Sequence, residues 1–412
     1  MSKAVKFSLA ASVAMAGLFA CAEMLDRPEG IRIGQRMTLR PYVSLSLTYD
    51  SNVGSTHDGD RGDALWTVSP GLGLTYNGDS WSLLLSGYYN YRQYCKSSND
   101  RYNRHSYGES ARFNWSNASG GGKGWTLLLG QSFQQVTMGD DLVLGDGRNY
   151  SMGTRRLQVQ AALQRRFNEY WHGDVNASYY WLDYMNDTRD YNSLYGWERA
   201  LVGGEVGFAP SRWTDFIVSG NYHTYDQDNA HGTTLSSRSQ GYSVQAGLGS
   251  YMTERVSYRA LAGWSRFEYA NDASSSDGFV YTVSGNWKIG ETWNTMLLAS
   301  SYYHPSERQR SSKSRSDALS WGLAKLMIRG KLRATLDLRY RHETVEHITT
   351  SGYDYCIDVI TGRIGFSYTF NRFLSGYLHG EYQRSWNDNS GTRNGAYDYD
   401  RWRITTGIRV SY

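Results

Sequence analysis

Apolar and polar residues alternate, one for one, along most of this chain. Leu332, Ala334, Leu336, Leu338 and Tyr340 fall on one side of their segment; Arg333, Thr335, Asp337, Arg339 and Arg341 fall on the other. Trp66, Val68, Pro70, Leu72, Leu74 and Tyr76 oppose Thr67, Ser69, Gly71, Gly73 and Thr75 in the same way. So do Leu157, Val159, Ala161 and Leu163 against Arg156, Gln158, Gln160, Gln164 and Arg166. A period of two marks a strand, whose successive side chains leave by opposite faces. The pattern predicts strand cores at 39–50, 64–76, 81–94, 104–115, 125–138, 154–167, 171–184, 197–209, 213–226, 239–251, 256–269, 279–288, 293–304, 317–328, 332–344, 357–370, 373–385 and 400–412. Segments 125–138 and 317–328 fit either register.

The connections alternate short and long. Short ones include Asn77-Gly78-Asp79-Ser80, Asn168-Glu169-Tyr170, Pro210-Ser211-Arg212, Thr253-Glu254-Arg255, Arg329-Gly330-Lys331 and Asn371-Arg372. Long ones, at 55–63, 227–237, 306–316 and 387–400, are rich in Asp, Asn, Ser and Gly; segment 116–124 is a longer turn on the short side. After the short turns an aromatic recurs about every forty residues, the spacing of a repeat architecture: Trp81, Trp125, Trp171, Trp213, Trp293 and Phe373, with Val256 and Leu332 in the two gaps. Tyr49, Tyr94, Tyr184, Tyr225, Tyr269, Tyr303 and Tyr340 mark the opposite strand ends. Two aromatic belts, one-sided loop lengths and period-two strands predict an all-β fold. It is a transmembrane antiparallel up-and-down β-barrel over residues 39–412, with short periplasmic turns and long extracellular loops. The count is about 18 strands, 16 being the alternative. A soluble propeller or solenoid shares the period but needs neither belt.

Composition sharpens this picture. Mean hydropathy is −0.59, which leaves no room for a bundle of apolar membrane helices. The polar strand faces are too charged for lipid, where a midplane Arg costs about 2–4 kcal/mol, so they must line a wet lumen. Residues 1–22 read as a signal peptide: Lys3 and Lys6, an apolar run from Phe7 to Phe19, and the cleavage site Ala20-Cys21-Ala22. Leu18-Phe19-Ala20-Cys21 also approximates a lipidation box, but Phe19 is bulky for it and ordinary cleavage fits better. Residues 23–38 read as a polar periplasmic tail. Near-balanced charge gives no argument for nucleic acid. Cys95 and Cys356 would meet an oxidising compartment, which permits a disulfide, but a barrel closed by hydrogen bonds does not need one.

The last strand resembles the C-terminal signal of Gram-negative barrels. Thr405-x-Gly407-x-x-Val410-x-Tyr412 carries the likeness, and it implies recognition by the barrel assembly machinery and a place in the bacterial outer membrane, among outer-membrane lipid and lipopolysaccharide. The segments Leu47-Thr48-Tyr49-Asp50-Ser51-Asn52-Val53 and Ser69-Pro70-Gly71-Leu72-Gly73-Leu74 resemble the opening of the β-barrel porin-2 type barrels, which occur often beside exopolysaccharide or capsule export systems. The plainer reading is that Asp50 and Asn52 start a loop and Pro70-Gly71 shape a strand bend.

A wall of this size encloses a lumen. Alternation turns Arg112, Arg156, Arg166, Arg259, Arg333, Arg339, Arg341, Arg363, Arg403 and Arg409 inward, with Asp174, Glu205, Asp337 and Glu381. Rings of Arg favour anions; the competing reading is that these side chains pair and stiffen the wall. Tyr42, Tyr88, Tyr180 and Tyr377 share the polar side and could form a saccharide track or simply fill space. His342-Glu343-Thr344-Val345-Glu346-His347 is one residue too long for a zinc-protease motif. Asp58-Gly59-Asp60-Arg61-Gly62-Asp63 lacks the full calcium loop, and Gly121-Gly122-Lys123-Gly124 lacks the Ser or Thr of a phosphate loop. His57, His105 and His231 show no nucleophile–base set. The expectation is a porin-like channel for small hydrophilic solutes or ions with a mild anion preference, without enzyme activity, metal or cofactor. Polysaccharide export and a structural or adhesive barrel are the alternatives, and fold analogy allows a homotrimer.

Overall fold

The computed structural model describes residues 30–53, 62–96, 104–117, 124–137, 153–185, 196–211, 213–227, 237–250, 255–269, 275–305, 312–347, 355–387 and 398–412. The signal-peptide segment, His57, Arg61, Gly121 to Lys123 and His231 lie outside them. The strands are β1 (Ile31–Ile33), β2 (Met37–Asp50), β3 (Asp63–Asn77), β4 (Trp81–Tyr94), β5 (Arg104–Ser116), β6 (Gly124–Thr137), β7 (Gly153–Arg166), β8 (Trp171–Met185), β9 (Trp197–Phe208) and β10 (Asp215–Gln227). They continue as β11 (Ser237–Gly249), β12 (Val256–Tyr269), β13 (Ser275–Ile289), β14 (Trp293–Pro305), β15 (Ser312–Met327), β16 (Leu332–His347), β17 (Tyr355–Thr369), β18 (Leu374–Asn387) and β19 (Tyr399–Ser411).

Each strand from β2 to β19 pairs antiparallel with its successor, and β19 returns to β2, with Arg403 opposite Asp50 and Ser411 opposite Tyr42. The result is a closed 18-strand antiparallel wall with no free edge. One part of the predicted tail is corrected. Ile31–Ile33 forms a strand, and β2 already begins at Met37. β1 pairs with residues 37–39, on the β2 edge that β19 leaves bare below Tyr42. There the Tyr412 N–H donates to the Pro41 carbonyl at 3.1 Å.

The wall is two-faced. Val43, Leu45, Leu47 and Tyr49 project outward and are exposed, while Ser44, Ser46, Thr48 and Asp50 turn in. Both ambiguous segments resolve. In β6, Trp125, Leu127 and Leu129 point out and Leu128 in; in β15, Leu319 and Trp321 point out. Two strands start well before their predicted cores: β13 at Ser275 rather than 279, and β15 at Ser312 rather than 317. Their first residues are polar on both faces, as a wall standing above the lipid is wetted from both sides.

The short turns carry the aromatic beat by a shared device. The Asn168 Oδ1 accepts from the Trp171 N–H at 2.8 Å, the Asn371 Oδ1 from the Phe373 N–H at 2.8 Å, the Ser211 Oγ from the Trp213 N–H at 3.2 Å and the Asn117 Oδ1 from the Trp125 N–H at 2.7 Å. A short side chain thus takes the place of a backbone acceptor and starts the next strand at the aromatic. Trp81, Trp125, Trp171, Trp213, Trp293 and Phe373 lie together at the short-turn end, most of them outward from strand starts, as do Val256 and Leu332. Lys325 and Arg165 lay their cations over the Trp293 and Trp125 rings.

The opposite belt differs from expectation. Tyr94 and Tyr225 turn inward and are buried, and the side chains of Tyr184 and Tyr269 lie outside the described residues. Outward rings sit lower: Tyr179, Tyr222, Tyr340 and Tyr382 each reach diagonally to a polar residue of the next strand. Their hydroxyls donate to Glu198 at 2.5 Å, Gln240 at 3.0 Å, Asp358 at 2.6 Å and Asp400 at 2.9 Å. An amphipathic ring bridging apolar wall and charged rim is what a membrane–water boundary selects.

Candidate functional site

The inward face of the wall is the candidate site. Register places Arg112, Arg156, Arg166, Arg259, Arg333, Arg339, Arg341, Arg363, Arg403 and Arg409 on it, with Asp174, Glu205, Asp337 and Glu381. The geometry adds residues that the alternation alone leaves out: Asp50, Arg401, His172, Asp215, Trp197 and Tyr302.

Basic side chains concentrate on four adjacent strands, β16–β19. Asp337 receives the Arg339 Nε at 2.7 Å and stands opposite Arg363. Glu381 bridges two guanidiniums, Arg363 on one side and Arg403 Nε at 3.0 Å on the other. Arg409 lies over the Tyr42 ring, 3.9 Å from its centroid. Arg341, flanked by Ala318 and Val359, has no carboxylate partner among the described residues. These Arg side chains therefore divide. Most are held in place by carboxylates or rings, and Arg341 keeps its charge for the lumen.

Half a circuit away, on β8–β10, most inward charges are acidic, with Arg199 on β9 held against the Tyr225 hydroxyl at 3.3 Å. Asp174 lies directly opposite Glu205, and both are largely buried. Arg259 reaches from β12 to bind Glu205, with Nη1 at 2.9 Å from Oε1. The His172 Nε2 lies 2.9 Å from the Asp215 Oδ2. The lumen thus carries a basic wall facing a smaller acidic one, with Arg156 and Arg166 on β7 beside it. Arg166 turns down to the Asn168 and Glu169 carbonyls at 3.1 and 2.9 Å, so it caps a turn.

The inward tyrosines lie on glycines. A Cβ added to Gly71 would stand 2.2 Å from the Tyr42 ring, one on Gly108 2.7 Å from Tyr88, and one on Gly407 2.5 Å from Tyr377. Each ring fills the notch of a neighbouring strand. Tyr180 instead stacks on Trp197, with centroids 4.8 Å apart. Gly407, singled out in the C-terminal signal, therefore has a packing role, while Val410 and Tyr412 face outward, Tyr412 stacked on Phe373 at 5.3 Å.

The extracellular end of the lumen face is apolar and tightly packed. Val345, Tyr355, Ile357 and Val359 form one buried cluster, and Val53, Leu65 and Tyr94 another. The second sits on the segment Tyr49 to Val53, which fastens the first strand to the last. Arg401 binds Asp50, with Nε at 2.9 Å from Oδ1. The Asn52 Nδ2 donates to the Asp400 carbonyl at 3.1 Å, and the Ser51 Oγ accepts from the Trp402 N–H at 2.9 Å. His342 faces outward and bonds Asp358 at 2.9 Å. Cys95 and Cys356 are unpaired. Among the described residues no cluster of His, Cys, Asp and Glu could hold a metal ion.

No family model matches the chain, and no curated protein does. Solved structures resemble it in fold. The outer membrane protein OpdK of Pseudomonas aeruginosa superimposes with a TM-score of 0.43 at 13% identity, over 91% of this chain and 99% of that one. A loop-deletion form of the outer membrane protein OmpT of Vibrio cholerae gives 0.38 at 14% identity, over 92% and 100%. The siderophore receptor PirA of Acinetobacter baumannii gives 0.47 at 9% identity, over 93% and 81%.

Proposed function

We propose that the chain is an outer-membrane channel that passes small hydrophilic solutes with a preference for anions. One observation carries the reading: a closed wall that is apolar outside and lined inside by arginines on β16–β19, one of which, Arg341, keeps an unpaired charge. Outside, the chain offers lipid a hydrocarbon-like band between two aromatic belts. Inside, fixed cations raise the local concentration of anions and lower the barrier to their entry. Asp337 and Glu381 hold their arginines in fixed geometry, and the acids on β8–β10 give a solute with charges of both signs a preferred orientation. The His304 Nε2 meets the Ser316 Oγ at 2.9 Å on the inward face, and the channel reading asks no catalysis of that pair.

A component of exopolysaccharide export is the second reading, favoured by the resemblance of the segments around Asp50 and Pro70. In this fold the Asp50 segment closes the barrel, the Pro70 segment lies within β3, and three of the four lumenal tyrosines that a sugar track would use are spent on glycine notches. Planar-bilayer recording tests the channel. Purified protein should give discrete conductance steps, and a salt gradient should give a reversal potential of the sign for anion selectivity. A protein that inserts without conducting refutes the reading.

A further inference from the structure

The outward face is broken at one place. Glu109 on β5 and Gln131 on β6 both point out of the wall and are exposed. Glu109 shares its row with Tyr107, Ala111 and Phe113, opposite Gly87 and Phe133. Gln131 stands opposite Ala111 and Val159, one step along the diagonal. Glu109 is six residues above Trp115 and Gln131 six above Trp125, the periplasmic aromatics of their strands. At a rise of about 3.3 Å per residue and a tilt near 40°, both stand roughly 15 Å up an apolar band about 25 Å tall. Among the described residues the other outward carboxylates of the strands lie nearer the extracellular rim, and three of them, Glu198, Asp358 and Asp400, each take a tyrosine hydroxyl. Glu109 and Gln131 have no hydrogen-bond or ionic partner among the described residues. An acceptor with a full charge and an amide that both donates and accepts would be left bare in hydrocarbon, which membrane proteins avoid.

We propose that this face of β4–β7 is where a second copy of the chain packs, and that Glu109 of one copy accepts a hydrogen bond from the Gln131 amide of the other. The inference rests on the outward face lying in lipid. Copies in one membrane share an orientation, so their symmetry axis runs along the membrane normal and preserves height. Acceptor and donor stand at nearly the same height, so one patch holds both halves of the bond. Gly87 and Ala111 beside them are short, which lets two walls approach. An unrelated partner would have to supply both halves itself.

The test uses the full chain in lipid nanodiscs, with mass and conductance read on the same preparation. The wild type should contain more than one copy. The double variant Glu109→Leu with Gln131→Leu should fall to one copy per disc while keeping a folded, conducting barrel, because neither residue faces the lumen. In a Cys95→Ser, Cys356→Ser background, a chain carrying Glu109→Cys mixed with one carrying Gln131→Cys should form a covalent dimer on oxidation. A conducting wild type with one copy overturns the interface and leaves the channel intact. So does a double Leu variant that keeps the same assembly, or a cross-link to a different protein at position 109. A protein that oligomerises but does not conduct overturns the channel and leaves the interface.

Discussion

Replacing Asp50 by alanine strikes the point where the two ends of the wall are joined. Asp50 and Arg401 are 351 residues apart, and their side chains are 1% and 6% exposed. The Asp50 Oδ1 also accepts from the Asn52 N–H at 3.1 Å, so one carboxylate holds both the seam and the start of the first loop. Truncation takes from a buried guanidinium the carboxylate that binds its Nε, a change that costs about 3–5 kcal/mol. At roughly 1.4 kcal/mol per tenfold, the unfolded fraction rises about 100- to 4,000-fold. Arg384 and Asp400 give the control. They sit 3.8 Å apart, are 59% and 61% exposed, and Arg384→Ala should change stability by about 0–1 kcal/mol. A third variant, Asp50→Leu with Arg401→Met, removes both charges and should recover most of the loss, because an apolar pair of similar volume tolerates the same burial. Reversible urea unfolding in lipid vesicles, followed by tryptophan fluorescence, reads all three. The reasoning fails if Asp50→Ala loses no more than Arg384→Ala, or if the double variant is no better than the single one.

Further outcomes follow from the same geometry. Gly407→Val puts a Cβ 2.5 Å from the Tyr377 ring and 2.7 Å from the Leu45 carbonyl, and should cost about 1–3 kcal/mol in the same unfolding assay; a loss under about 0.5 kcal/mol contradicts the notch. Asn168→Ala removes the acceptor for two backbone N–H groups at a solvated turn, and should cost about 0.5–1.5 kcal/mol, with Asn168→Asp retaining the bonds. Arg341→Gln removes one lumenal charge. For an ion passing about 7 Å away in water that is about 0.6 kcal/mol of attraction for an anion and as much repulsion for a cation, so the anion-to-cation permeability ratio should fall by roughly sevenfold at low salt. The difference should shrink as ionic strength rises, and a ratio that does not move takes Arg341 out of the ion path.

What the chain discloses in advance depends on where water and lipid lie. Within the apolar band each strand has one wet and one greasy face, so alternation alone oriented Arg333, Arg339 and Arg341 toward the lumen and Leu336 and Leu338 away from it. Above the band both faces are wet, and the strand signal vanishes. Ser312 to Ser316 and Ser275 to Gly278 read as loops by composition, yet are held as strand by register with their neighbours. At the packed extracellular end of the lumen the pattern reverses: Tyr94, Tyr225, Val345 and Ile357 are apolar or aromatic and face inward, so a rule that sends rings to lipid misplaces Tyr94 and Tyr225. Contacts set by closure are a different case. Nothing local to Asp50 names Arg401, and nothing local to Gly407 names the Tyr377 ring above it; both depend on a register that exists only once the circuit is complete. The motif Tyr49 to Val53 was visible as a motif, but its work as a clasp was not. Glu109 is the converse. It breaks the alternation in plain view, in a row that otherwise runs Tyr107, Ala111, Phe113, Trp115. Taken alone it reads as a defect in a strand. Beside Gln131 at a matching height, on a wall whose described residues hold no partner for either group, it reads as half of a contact that the isolated barrel does not complete.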